Sequence, residues 1–203
     1  DHEYSGARLF WNQHWASVMI GLAFFFGLVI RTQWYLVPSM NAYGTGNWDM
    51  TGGSDPWYMK RVVDYILANN AHMIVDADRF YPVGGINPRP PIFTWSIAVF
   101  AMLLDPFFAN GDAVWWAILS LPAIYGALTI FPVAFIAREH IGPKASVIAA
   151  WLIAFMPAHV SHTTWALADH DAFIMLFITL GFMFWLLSLI HISEPTRQEA
   201  ISY

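Results

Sequence analysis

The stretch WALADHDAFIML, residues 165–176, places two aspartates around a histidine between two apolar runs. Asp169 and Asp171 are two residues apart, and in extended or turn backbone this spacing points both carboxylates the same way. Oxygen ligands of this kind suit a hard divalent cation such as Mg²⁺ or Mn²⁺. The alternative is a solvated pair of charges that caps the helix expected to begin at Ala172. His170 points to another side of the backbone, so its role stays open.

A further candidate carboxylate, Asp55, lies in the segment GGSDPWYMKRVVDYIL. Taken alone, it favours a structural interpretation, because Ser54 or Asp55 can cap a helix whose first residue is Pro56. The apolar stripe that follows predicts a helix that ends near residues 69–70. Together with Asp169 and Asp171, Asp55 becomes a candidate ligand of a shared cation.

The segment VDADRF offers a rival pair, Asp76 and Asp78, with the same spacing. We rank this pair second, because neither a helix start nor a membrane boundary holds it. Acidic residues are also common in exposed loops.

The composition indicates the environment in which these residues act. Of the 203 residues, 58% are hydrophobic and 11% are charged, against roughly 25% charged in an average soluble protein. The mean hydropathy of +0.49 agrees with a membrane protein. The net charge of −5 and the scattered basic residues argue against nucleic-acid binding, and the absence of cysteine excludes disulfides and thiolate metal sites.

Apolar runs predict an all-α integral membrane protein with about four transmembrane helices. A crossing needs about 20 residues, and the runs near that length are 10–30, 113–137, 145–160 and 172–190. The run 92–104 has 13 residues, which favours a re-entrant, interfacial or buried helix.

If 92–104 does not cross, an external loop of about 37–112 and the stretch 161–171 lie on one side of the membrane. The short loop REHIGPK carries Arg138 and Lys144, which place it in the cytoplasm by the positive-inside rule. The long loop contains four basic residues, Lys60, Arg61, Arg79 and Arg89, but long loops translocate largely regardless of charge. It should hold short amphipathic helices and, in YPVGGINPRPP, no regular element.

Three segments in this order resemble the N-terminal part of the catalytic subunit of oligosaccharyltransferase, in its archaeal single-subunit form. They are GGSDPWYMKRVVDYIL, YPVGG…PRPP and LPAIYGALTIFPVAFIAREHIGPKASVIAAWLIAFMPAHVSHTTWALADHDAF. The resemblance covers about residues 9–187 and implies a truncated C-type glycosyltransferase fold. It also implies a multi-pass protein of the cell membrane with an extracytoplasmic active site.

The resemblance implies transfer of a glycan from a dolichyl phosphate or diphosphate donor to the asparagine of an Asn-x-Ser/Thr sequon, with inversion. Asp55 would hold a divalent metal, Mn²⁺ or Mg²⁺, and accept a hydrogen bond from the acceptor amide. Asp169 and Asp171 would be the other metal ligands. His162 stands where the family often has an arginine, so it is the candidate contact to the donor phosphate, charged only when protonated.

The resemblance also predicts the domain organisation. Residues 1–187 would be the N-terminal part of a transmembrane glycosyltransferase domain, which by itself is expected to be inactive. The end, SLIHISEPTRQEAISY, resembles translated sequencing-adapter sequence, so we interpret 188–203 as a non-native tail.

Two other functions fit parts of the pattern. Another polyprenyl-phosphate-dependent C-type glycosyltransferase could share the first-loop aspartate, but the Asp-x-Asp at the fourth span disfavours it. A non-enzymatic transport segment would carry ionisable residues within its spans, whereas here the acidic residues cluster at one membrane boundary. Trp115 and Trp116 are interpreted as packing or interface residues.

Overall fold

The computed structural model describes residues 3–33, 36–108 and 111–201, with side chains described over 13–33, 36–108 and 111–189. Helices dominate, as predicted, and a two-residue strand pair is the exception to an all-α chain. The elements are α1 (Glu3–Thr32), α2 (Leu36–Ala42), α3 (Ser54–Asn69), β1 (Val75–Asp76), β2 (Gly85–Ile86), α4 (Pro91–Leu104), a 3-10 turn (Asp105–Phe107), α5 (Asp112–Leu128), α6 (Ile130–His140), α7 (Pro143–Phe155), α8 (Pro157–Ser161) and α9 (Asp171–Ile201).

Three helical stretches in the described chain are long and apolar enough to cross a membrane: Gln13–Thr32, Asp112–His140 and Asp171–Leu189. Helix α4 has 14 residues, which agrees with the prediction that this run is too short to cross. Helix α7 has 13 residues, so the crossing predicted at 145–160 lacks a continuous helix of the usual length. The count of four spans therefore stays a prediction.

The strand pair joins two parts of the long loop. β1 and β2 are antiparallel, with Val75 opposite Ile86 and Asp76 opposite Gly85. The prediction that YPVGGINPRPP contains no regular element is therefore wrong at Gly85 and Ile86. Pairing with a strand ten residues upstream in the chain is a non-local contact, which the turn-rich composition of the segment does not reveal.

Residue contacts divide the chain into two units. The helical unit comprises 1–30, 125–161 and 174–203, and the loop unit comprises 31–124 and 162–173. In the helical unit, the buried core is built largely from alanines, namely Ala23, Ala134, Ala150 and Ala154, with Ile130 and the partly buried Trp151. Small side chains let helices approach closely, which is how helices pack in membranes.

The tail predicted at 188–203 begins within α9 and stays a prediction, and residues 202–203 lie outside the described residues.

In the loop unit, tryptophans form the packed centre. Trp48 stacks on Trp115 with ring centroids 5.8 Å apart and meets Trp116 edge to face at 6.0 Å. Trp116 in turn contacts Trp165 at 5.8 Å, and the indole N–H of Trp48 donates a hydrogen bond of 3.0 Å to Asp112. The packing role predicted for Trp115 and Trp116 is therefore confirmed. This cluster connects the chain before α3 with the chain before α9.

The end of α1 anchors the segment that leads to the second acidic motif. Arg31 is fully buried, and its Nε donates a hydrogen bond of 2.8 Å to Oγ1 of Thr163. Its carbonyl oxygen accepts hydrogen bonds from the backbone N–H of Trp165 at 2.8 Å and from Oγ1 of Thr164 at 3.1 Å. Residues 163–165 are thus fixed a few positions before Asp169.

Replacement of Thr163 by valine tests this anchor. Valine keeps the side-chain shape but removes the acceptor, so a buried arginine N–H loses its partner, at a cost of about 1–3 kcal/mol. Thermal unfolding in detergent, followed by tryptophan fluorescence, should show a lower midpoint for Thr163→Val than for the control Thr163→Ser, which keeps the hydroxyl. Equal midpoints for the two variants would contradict the anchoring role.

Candidate functional site

Asp55 lies in the first turn of α3, and its carboxylate is half-exposed. The helix begins at Ser54, with Gly53 as the N-cap residue and no capping hydrogen bond from a side chain, so the prediction that Ser54 or Asp55 caps this helix is wrong. Gly53 has a φ of 77°, a conformation that glycine adopts freely, and the chain enters the helix through it. The predicted end of the helix is confirmed, since Asn69 is its last residue and Asn70 adopts the left-handed conformation.

The segments that carry the two acidic motifs are docked on each other. The backbone N–H of Thr51 donates a hydrogen bond of 3.0 Å to the carbonyl of Ala166, whose own N–H donates to the carbonyl of Leu119 at 2.9 Å. Gly52, with a φ of +91°, lies so close to Leu167 that an added Cβ would come within 2.3 Å of its Cδ1. The turn before Asp55 and the turn before Asp169 therefore share one interface.

The second motif forms a compact cluster of potential ligands at the start of α9. One atom each from Asp169, His170 and Asp171 lies within 4.8 Å of the others. Asp169 Oδ1 accepts hydrogen bonds from the backbone N–H of His170 at 2.7 Å and lies 2.5 Å from Nδ1 of the same residue. His162, predicted at the donor phosphate, lies nearby, with its Nδ1 3.0 Å from Asp171 Oδ2. The structure thus brings His162 and His170 to the two aspartates.

Arg89 joins the two motifs. Its Nη2 lies 2.6 Å from Oδ1 of Asp55, and its Nη1 lies 4.0 Å from Oδ1 of Asp169. The sequence indicated Arg89 only as one of four basic residues in the long loop. An arginine isolated in the proline-rich string NPRPP, between two acidic motifs, is the feature that could have identified it.

An open cleft of about 370 Å³ adjoins this junction. Charged side chains of both signs line it, together with Ser54, Tyr58 and Pro88; the charged residues are Asp55, Asp76, Asp78, Arg61, Arg79 and Arg89. Asp55 therefore faces a space that an external group can enter.

The rival pair forms an ion-pair network with Arg61. The guanidinium lies 2.8 Å from Asp76 Oδ1 and 2.6 Å from Asp78 Oδ2 through Nη2, and its Nε donates to Asp76 Oδ2 at 3.2 Å. Burial alone would raise the pKa of Asp76, but hydrogen bonds from the backbone N–H of Asp78 and from Arg61 outweigh it and hold the pKa below its ordinary value. Arg61 is therefore the counter-charge of both carboxylates, and their second rank as a cation site stays a prediction.

The fold is shared with archaeal oligosaccharyltransferases. AglB from Archaeoglobus fulgidus, solved in complex with an inhibitory peptide and a dolichol-phosphate, matches with a TM-score of 0.67 and 23% identity over 80% of this chain and 18% of that chain. The A. fulgidus oligosaccharyltransferase in complex with Zn and sulfate matches with a TM-score of 0.64 and 24% identity over 76% of this chain and 19% of that chain. At this level of identity the similarity establishes the fold.

The family follows from the sequence match. The family model described as oligosaccharyl transferase STT3, N-terminal, matches residues 22–201, and the chain belongs to this family. It is 33% identical over 107 residues to dolichyl-phosphooligosaccharide-protein glycotransferase 3 of A. fulgidus, covering 52% of this chain and 12% of that protein. It is 26% identical over 162 residues to dolichyl-monophosphooligosaccharide-protein glycotransferase AglB of Haloferax volcanii, covering 77% and 15%. The chain thus spans less than a fifth of each of these relatives, and the resemblance seen in its motifs is confirmed.

A pair of glycine substitutions tests the docking of the two motifs. Gly52 and Gly53 both have positive φ, so alanine at either position costs about 1–3 kcal/mol of backbone strain. Alanine at Gly52 also meets Leu167, whereas a Cβ at Gly53 meets nothing within 4 Å. Thermal unfolding should therefore show a larger loss for Gly52→Ala than for its control Gly53→Ala, and equal losses would contradict the close contact.

The lowered pKa of Asp76 predicts a dependence of stability on acid. Because the folded-state pKa lies below the unfolded value of 3.8, the stabilisation is complete above about pH 4 to 5 and is lost as the pH falls through the folded-state pKa. The difference in thermal midpoint between the unmodified chain and Asp76→Asn should be constant at higher pH and shrink below about pH 4. A difference that grows on acidification would show the opposite sign of shift.

Proposed function

We propose that this chain is part of a membrane glycosyltransferase that moves an oligosaccharide from a dolichyl-phosphate-linked donor to the side-chain nitrogen of a protein asparagine. The acceptor is an Asn-x-Ser/Thr sequon, and the reaction inverts the anomeric carbon of the sugar. Membership in the STT3 family and the names of both curated relatives support the reaction class.

The observation that carries this proposal is the meeting of two acidic motifs from distant parts of the chain. Asp55 and Asp169 lie on two sides of the Arg89 guanidinium, and the turns before them share the hydrogen bond from Thr51 to Ala166. Carboxylates gathered in this way from separated segments are typical of a catalytic site, because repulsion between them must be offset by the fold.

The donor set fits a divalent cation. Asp169 and Asp171 would hold it, with His170 close enough to contribute a nitrogen. Asp55 lies outside this cluster, on the other side of Arg89, and would complete the donor set from there. Carboxylate oxygens suit Mg²⁺ and Mn²⁺, and the neighbouring imidazole is accepted more readily by Mn²⁺. When bound, such an ion would screen the negative charge that develops on the departing phosphate.

The carboxylate of Asp55 would orient the acceptor. It is half-exposed beside the open cleft, where it can accept a hydrogen bond from the N–H of the acceptor carboxamide. Carboxylates and imidazoles are too weak as bases to deprotonate an amide outright. Positioning of the nitrogen and electrostatic stabilisation therefore supply most of the barrier reduction.

His162 remains our candidate for a contact to the donor phosphate. It is largely exposed and lies against Asp171, at the edge of the acidic cluster. Its Nδ1 lies 3.0 Å from Oδ2 of Asp171, so a neutral ring would donate its one N–H to that carboxylate. The protonated ring would have a second N–H for the phosphate and would add a positive charge.

The membrane arrangement is also a proposal. α7 and the short α8 together would provide the third of four crossings, and Arg138 and Lys144 would lie in the cytoplasm. This arrangement places α3 and the start of α9 on the extracytoplasmic face. The complex of A. fulgidus AglB with dolichol-phosphate and a peptide supports a lipid-linked donor and a polypeptide acceptor meeting on a fold of this kind.

Substitution of the two key aspartates tests the proposal. In a chimera in which residues 22–187 replace the matching segment of the A. fulgidus glycotransferase, Asp55→Asn and Asp169→Asn should each lower transfer to a sequon peptide by about 100-fold or more. The readout is the mobility shift of a fluorescent peptide.

The control for Asp55→Asn is Asp64→Asn on the same helix. Asp64 is exposed to a similar degree but pairs with Lys60 at 2.6 Å, away from Arg89. This variant should retain transfer. If the Asp55 and Asp64 variants of an active chimera have comparable transfer activity, Asp55 is not part of the active site.

A further inference from the structure

We propose that Arg89 is a built-in counter-cation that occupies the junction between the two acidic motifs and is exchanged for the divalent metal. This inference rests on the proposed metal site and assigns a new positioning residue to it. Arg89 holds Asp55 and Asp169 together while the metal is away and sets the affinity with which the metal enters.

Two contacts hold the guanidinium of Arg89 between Asp55 and Asp169. Nη2 contacts Asp55 at 2.6 Å and Nη1 reaches Asp169 at 4.0 Å, so one planar group spans both motifs. The side chain is only 18% exposed, and its Nε is buried with no hydrogen-bond partner among the described residues. The two terminal nitrogens therefore carry the polar contacts of this charge.

The backbone around Arg89 is stiff, so exchange of the guanidinium for a metal ion would involve movement of the side chain alone. Residues 88, 90 and 91 are prolines, whose rings fix φ. The Arg89 N–H donates to Oδ1 of Asn87 at 3.0 Å, and Asn87 is itself held by a hydrogen bond of 2.9 Å from its Nδ2 to the carbonyl of Met73. Rotation of the arginine side chain can release the carboxylates without moving the loop.

Electrostatics predicts whether Arg89 raises or lowers the affinity for the metal. A divalent cation bound by Asp55 and Asp169 would lie within a few ångströms of the guanidinium if Arg89 stayed in place, and like charges at that distance repel. If Arg89 instead rotates away, its ion pair with Asp55 is lost. Either route lowers the apparent affinity for the metal, so removal of the positive charge should tighten binding.

The same contact should matter for stability only while the metal is absent. Without Arg89, the carboxylates of the two motifs lose their shared counter-charge and repel each other. A metal ion restores the neutralisation, so a chain lacking Arg89 should be stabilised by the metal more than the unmodified chain.

Titration with Mn²⁺ alone tests the inference. The purified chain in detergent is titrated while free Mn²⁺ is followed by electron paramagnetic resonance, and thermal midpoints are recorded with and without the ion. Arg89→Gln should bind Mn²⁺ about tenfold more tightly than the unmodified chain and gain more in midpoint on Mn²⁺ addition. Arg89→Lys, which keeps the charge but not the planar group, should lie closer to the unmodified chain.

The matched control is Arg79→Gln. Arg79 lines the same cleft and its loss changes the net charge equally, but its guanidinium donates to the carbonyl of Ile86 and stacks near Tyr58 and Phe80. This variant should keep the affinity of the unmodified chain to within about twofold.

The outcomes separate the inference from the proposed function. If Arg89→Gln binds Mn²⁺ no more tightly than Arg79→Gln, the exchange is overturned while the metal site stands. The proposed metal site is wrong if neither the unmodified chain nor Arg89→Gln binds Mn²⁺, or if Asp55→Asn and Asp169→Asn leave the affinity for Mn²⁺ unchanged. In either case the exchange with Arg89 is wrong as well.

Discussion

Two negatively charged segments held side by side are the constraint around which the loop unit is built. Carboxylates on two sides of one guanidinium repel each other, and the fold offsets this repulsion partly with contacts that do not involve the carboxylates. The hydrogen bond from Thr51 to Ala166 and the approach of Gly52 to Leu167 fix the two turns against each other. Arg89 then supplies the opposite charge where the motifs meet.

The rest of the loop unit holds these turns from both sides. The tryptophan cluster ties the chain before α3 to α5 and to Trp165. Arg31, at the end of α1, fixes the segment 163–165 through its side chain and its carbonyl oxygen. Arg31, buried at the end of an apolar helix, therefore helps to support the second motif. A substitution of Arg31 would alter the position of Asp169 through the backbone.

The sequence predicted the features that depend on composition and local pattern, namely the helical membrane class, the short length of α4 and the end of α3; the roles of the two acidic motifs stay a prediction. It did not predict contacts between segments far apart in the chain. Prolines on both sides set Arg89 apart from the loop's other basic residues, but its contacts with Asp55 and Asp169 depend on the fold and cannot be read from the sequence. The strand pair was missed for a different reason, because two-residue strands in a turn-rich segment leave no alternating pattern to detect. The capping prediction failed because two glycines with positive φ turn the chain into α3 without a side-chain cap.

The central claim is that Asp55 and the second acidic motif serve one cation. An anomalous-scattering map of the chain crystallised with Mn²⁺ tests it most directly. The account predicts a single strong peak at the junction, with oxygens of Asp55 and Asp169 each about 2.0–2.6 Å from the ion. A peak bound by Asp169 and Asp171, with both oxygens of Asp55 more than about 3 Å from the ion and so outside its coordination shell, would contradict the shared site.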